Sequence, residues 1–306
     1  MKHQKYHSIK NSPFFRLKSI DKLAEYLNTK SKRLIYLENM PLTERYRCFP
    51  QGTRDIQQPI GFNRFIHNRL HTLLSRILSP DFVFSGKKGF SHVDNALAHL
   101  NSKYAALMDI EGFYRNSKRE YVFRFFLKKL EMASDIANIL TNIVCFNDFI
   151  PTGSPLSQLI AYWAYSDMFE EIETVASSNN FIFSLFVDDL TFSSQDRIRH
   201  DFHLEINAIL KSYRLNIKRK KLQYRSKNQT KIITGCAITP DNKIKVRNKH
   251  RVKYINNLQL LLGSHQNRKD EKLIDSALGL ISSLQAIEPQ IFMESKRILK
   301  QKISFS

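Results

Sequence analysis

One segment constrains the fold more than any other: residues 181–195, FIFSLFVDDLTFSSQ. An apolar run rich in aromatic and β-forming residues is interrupted by Asp188 and Asp189 and then resumes, which predicts a hairpin with two acids at its tip. An Asp-Asp pair alone is an ordinary polar turn. Here Phe186, Val187, Leu190 and Phe192 bring the acids against buried surface. Adjacent carboxylates repel each other there unless a cation offsets them.

A third acid, Asp109, closes the apolar run that begins at Tyr104. A strand end facing a hairpin tip would gather three carboxylates, and such hard oxygen ligands suit Mg²⁺, which keeps several waters and binds a few carboxylates plus substrate phosphates. Two such ions about 4 Å apart stabilise the attacking and leaving oxygens of an in-line phosphoryl displacement. The implied reaction is nucleotidyl transfer, with Asp109, Asp188 and Asp189 as metal ligands.

Periodicity supplies the frame around these acids. Helical stretches at 60–78, 91–100, 118–143, 156–178 and 197–213 alternate with β-rich runs at 104–109, 181–187, 190–193 and 231–238, an α+β pattern. Three amphipathic helical stretches follow at 249–262, 270–287 and 289–303. The division expected is 1–245 for an N-terminal helical extension with the catalytic body, and 246–306 for a helical appendage.

The chain carries 48 Lys and Arg against 28 Asp and Glu, a formal charge of +20. So large an excess points to a polyanionic partner held through phosphate contacts. Residues 211–253 concentrate it, with fifteen basic residues and one acid, Asp241. Cys48, Cys145 and Cys236 stand far apart with no metal-ligand spacing, which suggests neither a zinc motif nor a disulfide framework. No apolar run approaches the ~18 residues that span a bilayer, and the first ten residues lack an apolar signal core. No membrane partner is expected.

The ordered segments DIEGFY, PTGSPLSQ, FVDD and LNIKRKK resemble motifs A, B, C and D of reverse transcriptases. The resemblance implies a right-hand polymerase, with fingers and a palm sheet flanked by helices, and a C-terminal helical thumb. It implies metal ligation by Asp109, the Ile110 carbonyl, Asp188 and Asp189, with two Mg²⁺ ions that Mn²⁺ can replace. Lys221 takes the place of the proton donor on the pyrophosphate side. Tyr114, with Phe113 beside it, falls where a ring beneath the incoming sugar excludes a ribose 2′-hydroxyl and so selects deoxynucleotides. Thr152 and Gly153 fall in the nucleotide-binding turn of motif B, where glycine lets backbone approach closely. Phe186 stands where most of the family has Tyr, and Thr152 where most has Gln. Upstream, RYRCFPQGTRDIQQP resembles the strands of the fingers, and Arg54 matches the arginine that contacts the triphosphate, a task suited to a permanently charged fork.

Two short segments resemble the retron branch of that family: NALAH, with Asn95 and His99, fits the pattern NAxxH, and Ile233-Thr234-Gly235 is similar to the VTG triplet. The likeness implies RNA contacts from Asn95, His99, Thr234 and Gly235. It also implies a cognate structured noncoding RNA serving as template and primer, a branched RNA-linked DNA product (msDNA) and antiphage defence alongside a separate effector protein in the bacterial cytoplasm. The alternatives are another defence-associated or maturase-like reverse transcriptase, or an RNA-binding scaffold that keeps the palm without its chemistry.

Overall fold

The computed structural model describes residues 6–263 and 271–297. Three short helices open the chain: α1 (Ile20–Tyr26), α2 (Ser31–Asn39) and α3 (Leu42–Arg45). The hairpin β1 (Tyr46–Gln51) and β2 (Arg54–Pro59) pairs antiparallel in register from Tyr46–Pro59 to Gln51–Arg54. Gly52, at φ +61°, makes the turn, a conformation open to glycine at little cost. Then come α4 (Gly61–Leu74), α5 (His92–Leu97), β3 (Tyr104–Asp109), α6 (Phe113–Asn116), α7 (Arg119–Arg124), α8 (Ser134–Val144), α9 (Ser157–Ala164) and α10 (Ser166–Ser178). The chain continues through β4 (Ile182–Phe186), β5 (Asp189–Ser194), α11 (Phe202–Ser212), β6 (Gln223–Arg225), β7 (Lys231–Ile233), β8 (Cys236–Ile238), β9 (Ile244–Val246), α12 (Asn248–Gly263) and α13 (Glu271–Ile287). The architecture is α+β, as the periodicity predicts.

Four strands form a sheet in the order β4–β5–β3–β6, and a second sheet runs β7–β8–β9. The middle strands are enclosed on both faces: Leu190 to Ser194 of β5 are all buried, as are Ala105, Ala106, Met108 and Asp109 of β3. The hairpin predicted around Asp188 and Asp189 is β4–β5.

Two predicted elements divide. The stretch 118–143 is not one helix: α7 passes into a π-helical turn (Phe125–Lys129), where Leu130 N–H bonds to the Phe125 carbonyl, and Glu131 then takes φ +50°. Residues Arg16 and Leu17 satisfy the broken backbone, through Arg16 N–H to Leu130 O and Ala133 N–H to Leu17 O. The run 231–238 is likewise a hairpin, because Thr234 and Gly235 turn the chain with φ +43° and +88°. Of the helix predicted at 289–303, residues 293–297 are helical and 298–303 lie outside the described residues.

The chain groups into two compact units, one of residues 1–89, 108–190 and 199–222, the other of 90–107, 191–198 and 223–306. In the first, α8 buries Ile136, Ala137, Leu140, Ile143 and Val144, and α10 buries Met168, Phe169, Ile172 and Ala176, helical stripes at spacings of three and four. In the second, the core joins Val93 and Ala96 of α5 to Ile233, Cys236 and Ile238 of the hairpin and to Tyr254, Leu261, Ala277, Ile281 and Leu284 of α12 and α13. No helix among the described residues is long and apolar enough to cross a membrane. The three cysteines are free.

Candidate active site

Backbone pairing brings the three acids together within the first unit. Ile110 N–H bonds to the Asp188 carbonyl (2.9 Å), and Asp109 accepts from Lys218 N–H at its own carbonyl (2.7 Å). At the hairpin tip Val187 has φ +62°, and its N–H is held by the Ser85 hydroxyl oxygen (2.9 Å). The result is three carboxylates, each with an oxygen within 4.8 Å of the others, Asp109 buried and its two partners half-buried.

Electrostatics define what such a cluster accepts. Burial, and then the charge of Asp109, raises the pKa of Asp188 from its ordinary value. Burial, and then Asp188 and Asp109, pushes Asp189 up to about 6. Each shift records the cost of crowding negative charge in a poorly solvated site, a cost that a divalent cation removes. Hard oxygen donors in this number fit Mg²⁺ or a similar ion. Lys221 reaches the same cluster, its ammonium bonded to the Asp109 carboxylate. Burial lowers its pKa, but the bond to Asp109 and the surrounding acids outweigh that and raise it overall.

The residues expected around a nucleotide separate into two groups. Tyr114 is half-buried; burial and the charge of Asp188 hold its phenol protonated, opposed by Arg54, so both charges lie within electrostatic reach of the ring. Arg54 is exposed at the start of β2 and Phe186 half-buried at the end of β4. Phe113 and Ile110 lie in the core, with exposures of 3% and 0%. The Phe113 ring packs on Tyr165 (5.8 Å) and Phe169 (6.1 Å), so its side chain supports Tyr114 from the protein side.

The 152–157 turn is fastened to β2 and α4. The Thr152 hydroxyl donates to the Asp55 carbonyl (2.8 Å) and lies 3.1 Å from the Gln57 side-chain oxygen, which also accepts from Thr152 N–H (3.3 Å). Gly153 N–H bonds to the Gln57 carbonyl (3.2 Å). A Cβ at 153 would sit 2.7 Å from Ile56 Cγ2 and 2.8 Å from the Gln57 carbonyl oxygen, so the close approach that demands glycine is to β2. On the other side the Ser154 hydroxyl meets Nδ1 of buried His67 (2.6 Å), whose Nε2 bonds to the Ile143 carbonyl (3.1 Å). A carbonyl only accepts, so Nε2 carries the proton and Nδ1 accepts from Ser154. Gln57 and His67 were not found by sequence reasoning, and nothing in their local sequence marks them, because their partners are about 90 residues away.

The four residues expected to contact RNA lie in the second unit. Asn95 and His99 are fully enclosed, so their side chains have no face for an RNA to touch; their contacts are internal. Asn95 donates to the Thr234 hydroxyl oxygen (3.4 Å), which donates in turn to the His92 carbonyl (2.6 Å), tying α5 to the β7–β8 turn. Gly235 has open space around it. His99 pairs with the Ser193 hydroxyl (2.6 Å), and burial, then the charge of Lys231, pushes its pKa down to about 3. The structure thus unites Asn95 with the Thr234–Gly235 turn and places His99 in a separate buried bond.

Residues 59–255 match the family described as reverse transcriptase (RNA-dependent DNA polymerase). Among curated proteins, the chain is similar to the retron Ec86 reverse transcriptase of Escherichia coli, 26% identical over 68% of this chain and 63% of that protein. It is also similar to the retron Ec83 reverse transcriptase of Escherichia coli, 27% identical over 78% of this chain and 80% of that protein. Among solved structures, a foamy viral protease–reverse transcriptase in complex with double-stranded DNA aligns over 85% of this chain and 42% of its own, at 15% identity and a TM-score of 0.45.

Proposed function

The chain belongs to the reverse transcriptase family, of the bacterial retron type, and from that premise we propose that it is an RNA-directed DNA polymerase working by two-metal nucleotidyl transfer. The observation that carries this function is the convergence of Asp109, Asp188 and Asp189, with pKa values raised at two of them by burial and then by the neighbouring acids. These three carboxylates would hold divalent ions, Mg²⁺ in the first instance. Bound there, the ions would activate the primer hydroxyl and neutralise charge on the transferring phosphoryl group.

The protein's own groups do the rest. Arg54 binds the triphosphate by charge and bidentate geometry. Tyr114 closes the sugar pocket against a 2′-hydroxyl, while Phe186 and the Thr152–Gly153 turn flank the nucleotide. Lys221, bonded to Asp109, stands as proton donor to the departing pyrophosphate. The template and primer would be a cognate folded noncoding RNA, and the product a branched RNA-linked DNA used in antiphage defence with a separate effector in the bacterial cytoplasm. For Asn95, Thr234 and Gly235 the role we assign in RNA recognition is positional: the bonds from Asn95 to Thr234 and from Thr234 to the His92 carbonyl set the β7–β8 turn that RNA would meet, while His99, bonded to Ser193, would act only through the core of the same unit.

Asp188→Asn and Asp109→Asn test the assignment. Each removes a charged ligand with almost no change of volume, so primer extension on an RNA template should fall by roughly a thousandfold or more, the equivalent of several kcal/mol of transition-state stabilisation. Folding should persist, because removing one of three repelling carboxylates relieves strain in the metal-free protein. Near-normal extension by either variant would refute the metal-site assignment.

A further inference from the structure

The first unit also carries a basic cavity, of about 600 Å³, lined by none of the residues assigned above to the metal ions or the nucleotide. It lies between α11 and the loop preceding Lys221, and Lys211, Lys218, Arg219 and Lys220 line it together with Asn207 and Glu111. The basic run of motif D therefore divides. Lys221 turns to Asp109, whereas its three predecessors line this other space.

Its floor is fixed in advance. Ile217 N–H bonds to the Asn207 side-chain oxygen (2.9 Å), and Glu111 N–H to the Asn216 carbonyl (2.9 Å). Four cations held on such a floor repel one another, and among the described residues none of the four is ion-paired to a carboxylate. A polyanion relieves that repulsion by releasing its counterions on binding. No Phe, Tyr or Trp lines the cavity, and its one ring, His203, is bonded through Nδ1 to the His200 carbonyl (2.8 Å), so cations rather than a stacking platform dominate the lining. What remains is a sugar–phosphate backbone. Glu111, an acceptor among donors, disfavours phosphate but suits a hydroxyl, and the 2′-hydroxyl distinguishes RNA from DNA.

We propose that this cavity holds the backbone of a single-stranded RNA segment lying outside the primer–template duplex. The inference rests on the polymerase function proposed above, and its test keeps the two apart. The probes are a short blunt RNA/DNA hybrid, the same hybrid with a single-stranded RNA tail, and the same hybrid with a DNA tail of equal sequence. Their binding is titrated with salt for the wild-type protein and for Lys211→Gln/Arg219→Gln, whose altered side chains are exposed.

With the RNA-tailed probe, the double variant should lower the log–log salt slope by about 1.4, the loss of two single-strand phosphate contacts at about 0.7 each. The blunt hybrid should bind unchanged and its primer should be extended as before, which keeps the polymerase function separate from the result. Glu111→Gln should narrow the preference for the RNA tail over the DNA tail. An unchanged slope with the RNA tail would overturn the proposal. An equal fall with the blunt hybrid would overturn it too, because the cavity would then serve the duplex. Displacement of the tail by millimolar inorganic pyrophosphate would reassign the site to free polyphosphates.

Discussion

Gly153→Ala should damage this protein through contact alone. The added Cβ would lie 2.7 Å from Ile56 Cγ2, 2.8 Å from the Gln57 carbonyl oxygen and 2.9 Å from the Gln57 carbonyl carbon. Two of those three atoms are backbone of a paired strand and cannot rotate away. Gly153 does not have the positive φ seen at Gly52 or Gly235, so torsional strain contributes nothing and the whole penalty is overpacking. Overpacking of this kind costs about 1–3 kcal/mol, which for a chain of this size lowers the thermal midpoint by roughly 2–10 °C. The relief available is to push the 152–157 turn off β2, which breaks the Gly153–Gln57 and Thr152–Gln57 bonds. Primer extension should therefore show a raised KM for deoxynucleotides as well as a lower midpoint. Ile56→Ala combined with Gly153→Ala removes one of the three close atoms and should restore less than half of either loss. A wild-type midpoint with normal KM in Gly153→Ala, or complete rescue by Ile56→Ala, would show that the turn is not wedged against β2 as described.

Two further outcomes follow from the side chains around the site. Tyr114→Ala should raise incorporation of ribonucleotides relative to deoxynucleotides, measured by competition on one template; unchanged discrimination in an active variant would return Tyr114 to a purely structural role. Burial pushes His67 down to about 4 and His99 down to about 3, below the ordinary value near 6.5 in the unfolded chain. Below about pH 6.5 the unfolded chain then binds protons that the folded one refuses, so stability is retained above that pH and declines as pH falls towards the folded values. By pH 5 each histidine should have cost on the order of 2 kcal/mol, and His67→Gln should show a smaller drop in unfolding free energy between pH 7 and pH 5 than the wild type. Equal drops would mean that His67 is not held neutral.

The three clustered acids were legible because short-range pattern sufficed: an apolar run ending in Asp109, and a second interrupted by Asp188 and Asp189, each read without knowledge of the partner. Helices α12 and α13 were legible for the same reason, their apolar spacing being local. What stayed hidden depends on pairing across long separations. The break after α7 is set by residues 16 and 17, more than 110 positions upstream, so the pattern 118–143 reads as one helix until that loop is in place. Phe113 reads as a nucleotide contact because it neighbours Tyr114, yet the helical turn of α6 sends its ring to Tyr165 and Phe169. Asn95 and His99 read as contacts for an outside partner, because sequence does not reveal that Thr234 and Ser193 answer them from within.

Val187 marks where folding and chemistry want different residues. A β-branched side chain at φ +62° occupies backbone space that glycine or asparagine would enter at far lower cost, of order 1–3 kcal/mol less. Selection for durability alone would have replaced it. A glycine at the tip, however, would let Asp188 and Asp189 swing through many orientations, and two carboxylates that repel would take that freedom to move apart. The stiff residue denies them the choice, so the protein gives up some of its margin against unfolding to keep two like charges side by side.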